Sequence, residues 1–372
     1  MTRSRTKLAF ALALVAVVLA LPAGATAGRG TELQPALDRV VAAGIPGAVL
    51  LVREGNRTIL LTSGYANLNP RTPVRAGDRF RVGSITKTFV ATVVLQLVGE
   101  GKLALDDTVE RWLPGVVPNG KRITVRQLLN HTSGLFDFGG DRKFVAAAFR
   151  DPLKYWTPRQ IVAIATRHKP HFAPGTGWRY SDTNYYVVGL IVQAATRHSL
   201  AIELDRRIFT PLRLRATSFP SGPSIAGRYA HGYMRVGKPF LEDVTVTSPS
   251  VQWAAGALVS NAADLARFYR SLLGGRLLRP RLLRTMQTVM PTPLGWSYGL
   301  GLMRVRNSCG FLWGHTGASP GYVAEALGSK DGTREVVVLV NATGSLSATG
   351  FFGLSKPAAR AVDRLIRIAY CH

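Results

Sequence analysis

Two stretches near the ends of the chain share one pattern: an apolar run, a short polar turn and a second apolar run. Residues 46–67, PGAVLLVREGNRTILLTSGYAN, predict two strands around the turn Glu54-Gly55-Asn56. Residues 321–343, GYVAEALGSKDGTREVVVLVNAT, predict two more around Lys330-Asp331-Gly332. An amphipathic helix precedes the first pair at residues 31–43, TELQPALDRVVAA, and another follows the second at residues 356–370, KPAARAVDRLIRIAY. Both termini therefore feed one α/β layer, spanning residues 30–82 and 291–372. The intervening residues 83–290 read as helices and loops, a mostly helical region inserted into the sheet. The expected class is α/β (α+β), with residues 28–372 forming a single unit.

The segment RVGSITKTFVATVVLQLVGEGKL, residues 81–103, raises a chemical question. From Ile85 to Val98 it is apolar nearly all round, and it stops at Gly99 and Gly101, so it predicts a helix buried inside the fold. Ser84 heads that helix, where a serine commonly caps a backbone N–H. A capping box would then place Glu or Gln at the third position, but Lys87 stands there. A cation is disfavoured both by the positive end of a helix and by burial, and both effects lower a lysine's pKa towards that of a general base. Residues three apart share a helix face, so the amine can reach the hydroxyl. Capping and catalysis both remain open on this stretch alone.

Composition narrows the setting. Arg3, Arg5 and Lys7 lead into LAFALALVAVVLALP and then Ala25-Thr26-Ala27, the pattern of a secretory leader over residues 1–27, with cleavage after Ala27 or Ala25. The apolar core is short for a membrane span, so no span is expected after cleavage, and the protein is expected outside the cell or in its envelope. Export permits a disulfide between Cys309 and Cys371, the only two cysteines; two free thiols are the alternative. The net charge is +26, and 37 of the 47 basic residues are arginine, yet they are scattered with no basic run interleaved with aromatics. The charge therefore bears on location and adhesion to anionic surfaces, and no nucleic-acid partner is expected.

Two further stretches complete a set. In FAPGTGWRYSDTNYYVVGLIVQAAT, residues 172–196, Tyr180-Ser181-Asp182 falls just before an apolar helix starting near Tyr185. In WGHTGASPGY, residues 313–322, His315-Thr316-Gly317 leads into the C-terminal hairpin. Together with Ser84-Ile85-Thr86-Lys87 these resemble the S-x-x-K, Y-x-N and K-T-G or H-T-G motifs of the serine penicillin-recognising enzymes, in the same order. DRFRVGSITKTF, ITVRQLLNHTSGL and YSDTNYYVVGLI resemble the class C β-lactamase-like group. The chain is similar to secreted D-alanyl-D-alanine carboxypeptidases with H-T-G over essentially its whole mature length.

The resemblance implies a β-lactamase/DD-peptidase-like fold and roles for individual residues. Ser84 would be the acylated nucleophile, Lys87 would take its proton or hold the network that does, and Tyr180 would be a proton shuttle whose phenol needs cationic neighbours. The N–H groups of Ser84 and Ala318 would form an oxyanion hole, with Gly317 allowing close approach. His315 and Thr316 would bind a substrate carboxylate and complete the proton network, His315 as a catalytic residue. Trp253, Arg304 and Arg306 lie where relatives place substrate-binding groups. Asp182 departs from the usual Asn: it only accepts hydrogen bonds, and its charge favours a protonated Lys87, shifting work towards Tyr180. His131 belongs to a phrase that reads as structural, and His168 and His171 lack a third metal ligand, so no metal and no cofactor is expected. The implied partners are a small peptide or peptidoglycan stem, and a β-lactam as a ligand; β-lactamase, esterase and D-amino-acid peptidase activities fit the same scaffold.

Overall fold

The computed structural model describes residues 24–235, 240–344 and 353–371, together with the backbone alone at residues 24–31. The expected leader lies outside the described residues through position 23. The expected cleavage points fall within helix α1, Gly24–Ala42, which starts earlier than the amphipathic pattern did.

Both terminal hairpins form. Strands β1 (Gly47–Glu54), β2 (Arg57–Leu68) and β3 (Arg71–Pro73) come from the N-terminal region. Strands β4 (Met290–Pro291), β5 (Ser297–Tyr298), β6 (Met303–Asn307), β7 (Gly310–Ser319), β8 (Tyr322–Gly328) and β9 (Arg334–Val340) come from the C-terminal region. They make one nine-stranded sheet in the order β3-β2-β1-β9-β8-β7-β6-β5-β4. The halves join where β1 pairs antiparallel with β9, from Ala48 opposite Val340 to Glu54 opposite Arg334. This is a mixed α/β fold built on one large antiparallel sheet.

The sheet is covered on both faces, which is why β1 and β9 are apolar at nearly every position instead of alternating. Ala48, Leu50 and Val52 join a core with Leu33, Leu37 and Val40 of α1 and with Val362, Leu365 and Ile366 of helix α5 (Lys356–Cys371). Val49 and Leu51 point the other way, into the core of the helical region. At the centre of that core lies α2, Thr86–Gly99, followed in the chain by α3 (Asp182–Thr196) and α4 (Ala262–Leu273). Phe89 of α2 stacks on Phe268 of α4 with centroids 3.6 Å apart. Each fully buried apolar side chain of α2 contributes about 1.5–3 kcal/mol. Its buried hydroxyls are all spoken for: Thr86 Oγ1 donates to Gly83 O, Thr88 Oγ1 to Gly301 O, and Thr92 Oγ1 to Thr88 O.

Among the described residues no single helix is long and apolar enough to cross a membrane. Cys309 and Cys371 form a disulfide, tying the end of α5 to the tip of the β6–β7 hairpin. It closes a loop with a sequence separation of 62, for which chain entropy gives about 4 kcal/mol. Reduction with a phosphine should therefore lower the melting temperature by several degrees; an unchanged melting curve would show that the crosslink carries no stability.

Candidate active site

Gly83–Ile85 forms one tight turn that runs straight into α2, and a single contact seats it against the sheet. Gly83 sits at φ +52, and a Cβ there would lie 2.4 Å from Ala318 O and 2.5 Å from Ala318 N. A Cβ on Gly317 would lie 2.0 Å from Val82 O. Only two facing glycines allow this approach, which sets the backbone of Ser84 beside that of Ala318. The Ser84 and Ala318 N–H groups can therefore serve one oxyanion. Ser84 is half-buried whereas its neighbours from Arg81 to Leu95 are buried, so the one accessible side chain of the run is the hydroxyl.

Lys87 is fully buried beneath it. Its Nζ lies 2.9 Å from Ser84 Oγ, 2.7 Å from Ala255 O and 2.7 Å from Asp182 Oδ1. A neutral amine has two N–H donors and one lone pair. The carbonyl and the carboxylate take the two donors, leaving the lone pair for the Ser84 O–H. Burial is the largest influence and pushes the amine below its ordinary value, while the charge of Asp182 pulls it back. Both expected effects are present, and burial outweighs the carboxylate.

Tyr180 departs from expectation. Its phenol is hydrogen-bonded to Ser84, and Lys87 Nζ lies 4.9 Å from its ring centre. Burial, then the charge of Asp182, nevertheless hold the phenol well above its ordinary value. Tyr180 is thus a proton donor and relay at rest, not a phenolate base. Asp182 is the first residue of α3, which begins three residues earlier than the apolar pattern. Its N–H donates to Asp137 Oδ1 at 3.2 Å. Burial and the facing Asp182 raise the Asp137 carboxyl to about 7.

His315 is also buried, and the lack of solvent together with Lys87 lowers its imidazole to about 3. Nδ1 is 2.5 Å from Thr316 O, a pure acceptor, so Nδ1 carries the proton and Nε2 accepts from Tyr298 Oη at 2.9 Å. His315 is thereby neutral and turned into a buried network, so it supplies no positive charge to hold a carboxylate.

A cleft of about 390 Å³ opens over Ser84. Tyr180, Asp182, His315, Thr316, Gly317 and Ala318 all line it. Two of the expected substrate contacts lie elsewhere. Trp253 packs on α3, its ring 5.5 Å from that of Tyr186, and its neighbour Gln252 faces the cleft instead. Arg304 sits over Phe311, 4.5 Å from the ring centre, because alternation along β6 turns Met303 towards the cleft and Arg304 away. Arg306 is exposed and shares the face of Arg304. His168 is half-buried: Nε2 is 2.8 Å from Asp141 Oδ2, and the ring stacks on Phe136. His131, read as structural, is fully buried and sits behind Tyr180 with ring centres 4.3 Å apart; its Nδ1 accepts from Ser181 N.

Pattern reading missed Gln252, Asp137, Tyr298, Trp296, Glu325 and Asp363. Asp137, six residues after His131 and just beyond the NHTSGL phrase, and Gln252, next to Trp253, stood beside positions that could have drawn attention to them.

A half-exposed serine, a buried lysine beneath it, a neutral phenol and two backbone N–H groups beside each other make up the kind of site a serine hydrolase uses. Residues 33–350 match the family described as Beta-lactamase, and the chain belongs to that family, which includes penicillin-binding proteins and D-aminopeptidases. A D-stereospecific amidohydrolase from Streptomyces sp. is 39% identical, with TM-score 0.80 over 89% of this chain and 97% of that one. A D-amino acid amidase from Ochrobactrum anthropi SV3, solved with D-phenylalanine, is 30% identical, with TM-score 0.82 over 92% and 98%. A D-aminopeptidase from Brucella anthropi is 27% identical over 82% of this chain and 58% of its own. The chain spans about half the length of the first curated relatives it matches.

Because Asp182 favours the charged lysine, Asp182→Asn should depress the Lys87 pKa further. The acid limb of kcat/KM is then expected to move to lower pH by about one unit. A limb that stays put or moves up would remove Lys87 from the role of base.

Proposed function

We propose that this protein hydrolyses amides of D-amino acids that carry a free α-amino group, acting as a D-aminopeptidase or D-amino-acid amidase. The observation that carries this reading is the charge of the cleft. In a chain of net charge +26, the described residues lining it include Asp182, Glu325 and Asp363 and neither lysine nor arginine. A substrate ammonium on the acyl side suits the Asp182 end of this cleft, whereas a terminal carboxylate meets no cation among these residues. Release of D-alanine from D-alanyl-D-alanine peptides, which the motifs suggest, requires binding that carboxylate. Met303 stands beside Thr316 where a cation would help, and the neutral His315 adds none.

A second compartment of about 320 Å³ meets the cleft at Asp182 and Gln252. Phe138, Phe144, Phe149, Val145 and Met234 among its walls suit a bulky apolar side chain on the acyl residue.

The chemistry follows from the contacts. Lys87 takes the Ser84 proton as Oγ attacks the substrate carbonyl, and the N–H groups of Ser84 and Ala318 receive the oxyanion. The C–N bond breaks as Tyr180 passes its phenolic proton to the departing amine. The Lys87 ammonium then returns its proton to the Tyr180 oxygen. Water attacks the acyl carbon as its proton passes by way of Tyr180 to Lys87; the acyl–Oγ bond breaks as that proton returns to Ser84 Oγ, and the freed D-amino acid leaves.

The test is a panel of D-phenylalanine amide, L-phenylalanine amide and a diacetyl-lysyl-D-alanyl-D-alanine peptide, with Ser84→Ala alongside. D-Phenylalanine amide should be cleaved at least tenfold faster than either of the others, and Ser84→Ala should abolish all turnover. Faster release of D-alanine would transfer the protein to the carboxypeptidases, and turnover by Ser84→Ala would sink the acyl-enzyme.

We further propose that the protein works outside the cytoplasm. The leader pattern of residues 1–27 and the disulfide support this. N-terminal sequencing of protein recovered from the culture medium should begin at Ala25-adjacent position 26 or at Gly28; an intact Met1 would overturn it.

A further inference from the structure

The cleft does not end at the nucleophile. β6 pairs with β7 only from Met303 opposite Gly314 to Asn307 opposite Gly310. Residues 315–319 of β7 therefore form a free strand edge on that side, and the cleft wraps over it. Ser84, Tyr180, Asp182 and Gln252 lie on one side, and Val323, Glu325, Val362 and Asp363 on the other.

Glu325 of β8 stands directly opposite Thr316 of β7, so the two side chains share a face of the sheet about 5 Å apart at Cβ. Asp363 reaches the same space from α5. Glu325 makes no hydrogen bond or ion pair with any described residue, and the charged group that acts on it is another acid, Asp363. Burial and that neighbour raise its carboxyl to about 8. A half-buried acid whose one charged influence among the described residues is a second acid is unfavourable in the empty protein and is relieved by a cation entering the space.

The direction of the substrate follows from the two compartments. The apolar one meets the cleft at Asp182 and Gln252 and is also lined by Pro320, just beyond the far end of β7, so the acyl residue occupies that end. The leaving group then extends past Thr316 towards Glu325.

Resting on the D-aminopeptidase reading, we propose that Glu325 and Asp363 form a leaving-group subsite that selects peptides with a basic side chain on the residue after the cleaved bond. The substrate class is a D-aminoacyl peptide followed by a lysine-like or other diamino residue.

Kinetics with D-phenylalanyl-lysinamide and D-phenylalanyl-norleucinamide, which differ by the terminal ammonium, test this directly. The lysyl substrate should have a kcat/KM about tenfold higher in the native protein, the size of one charge-assisted contact. The ratio should fall to near one in Glu325→Gln/Asp363→Asn, with an unchanged circular-dichroism spectrum and melting curve reporting that the variant is folded. A native ratio near one, or a ratio that survives the double substitution, would overturn the subsite. Calorimetric titration of Ser84→Ala with both peptides reads the same preference without turnover. A binding preference in a protein whose native form cleaves neither peptide would retire the hydrolase reading and keep the subsite; equal binding would retire the subsite alone.

Discussion

The site depends on one backbone contact, the seating of the Gly83–Ile85 turn against β7. A methyl at either Gly83 or Gly317 would overlap the opposing main chain. Their absence lets the start of α2 meet the sheet closely enough for Ser84 and Ala318 to address one oxygen atom. It is one of the joins between the helical region and the sheet, beside the packing of α4 on β1, β8 and β9, so a contact that helps seat the helices also assembles the site. Lys87 follows from it by helical spacing alone, three residues on and on the same face. Tyr180 and Asp182 arrive separately, delivered by the start of α3. That start is moored by Thr183 Oγ1 on Phe136 O at 2.8 Å and by Ser181 N on His131 Nδ1 at 3.3 Å.

Burial then does to Lys87 what a helix start alone could not. With the amine held by Ala255 O and Asp182, no water competes for the lone pair facing Ser84. The Asp182 carboxylate opposes the neutral amine, yet desolvation is the larger influence. The same desolvation keeps Tyr180 a phenol and His315 a neutral imidazole. One dry pocket therefore sorts three titratable groups into a base, a relay and a fixed hydrogen-bonding element. The basic surface of the chain does not extend into it: the arginines that dominate the composition stay outside a cleft lined by acids.

Much of this was legible in the chain. The terminal hairpins with their turns at Glu54-Gly55-Asn56 and Lys330-Asp331-Gly332, the closing helix, the buried α2 and the three motifs all follow from local patterns, because apolar periodicity, turn chemistry and residue spacing act over a few residues. Strand phase was harder. Arg304 and Met303 are adjacent, and which of them faces the cleft is set by pairing with β5 and β7, not by any feature of the pentapeptide itself. Trp253 and Gln252 pose the same problem in a short helix whose rotation is set by packing on α3.

The sequence by itself determined which elements form and which residues are the candidates for nucleophile, base and relay, since those depend on local periodicity and on short motifs. Tertiary structure alone decided the charge of the cleft and the protonation of its groups. Glu325 and Asp363 lie 38 positions apart in the chain and more than 200 from Ser84, yet they share its cleft. Only the pairing of β7 with β8, and the docking of α5 over them, brings them there. Solvent exclusion, the largest influence on Lys87, Tyr180 and His315, is a property of the packed molecule and of no single stretch of it.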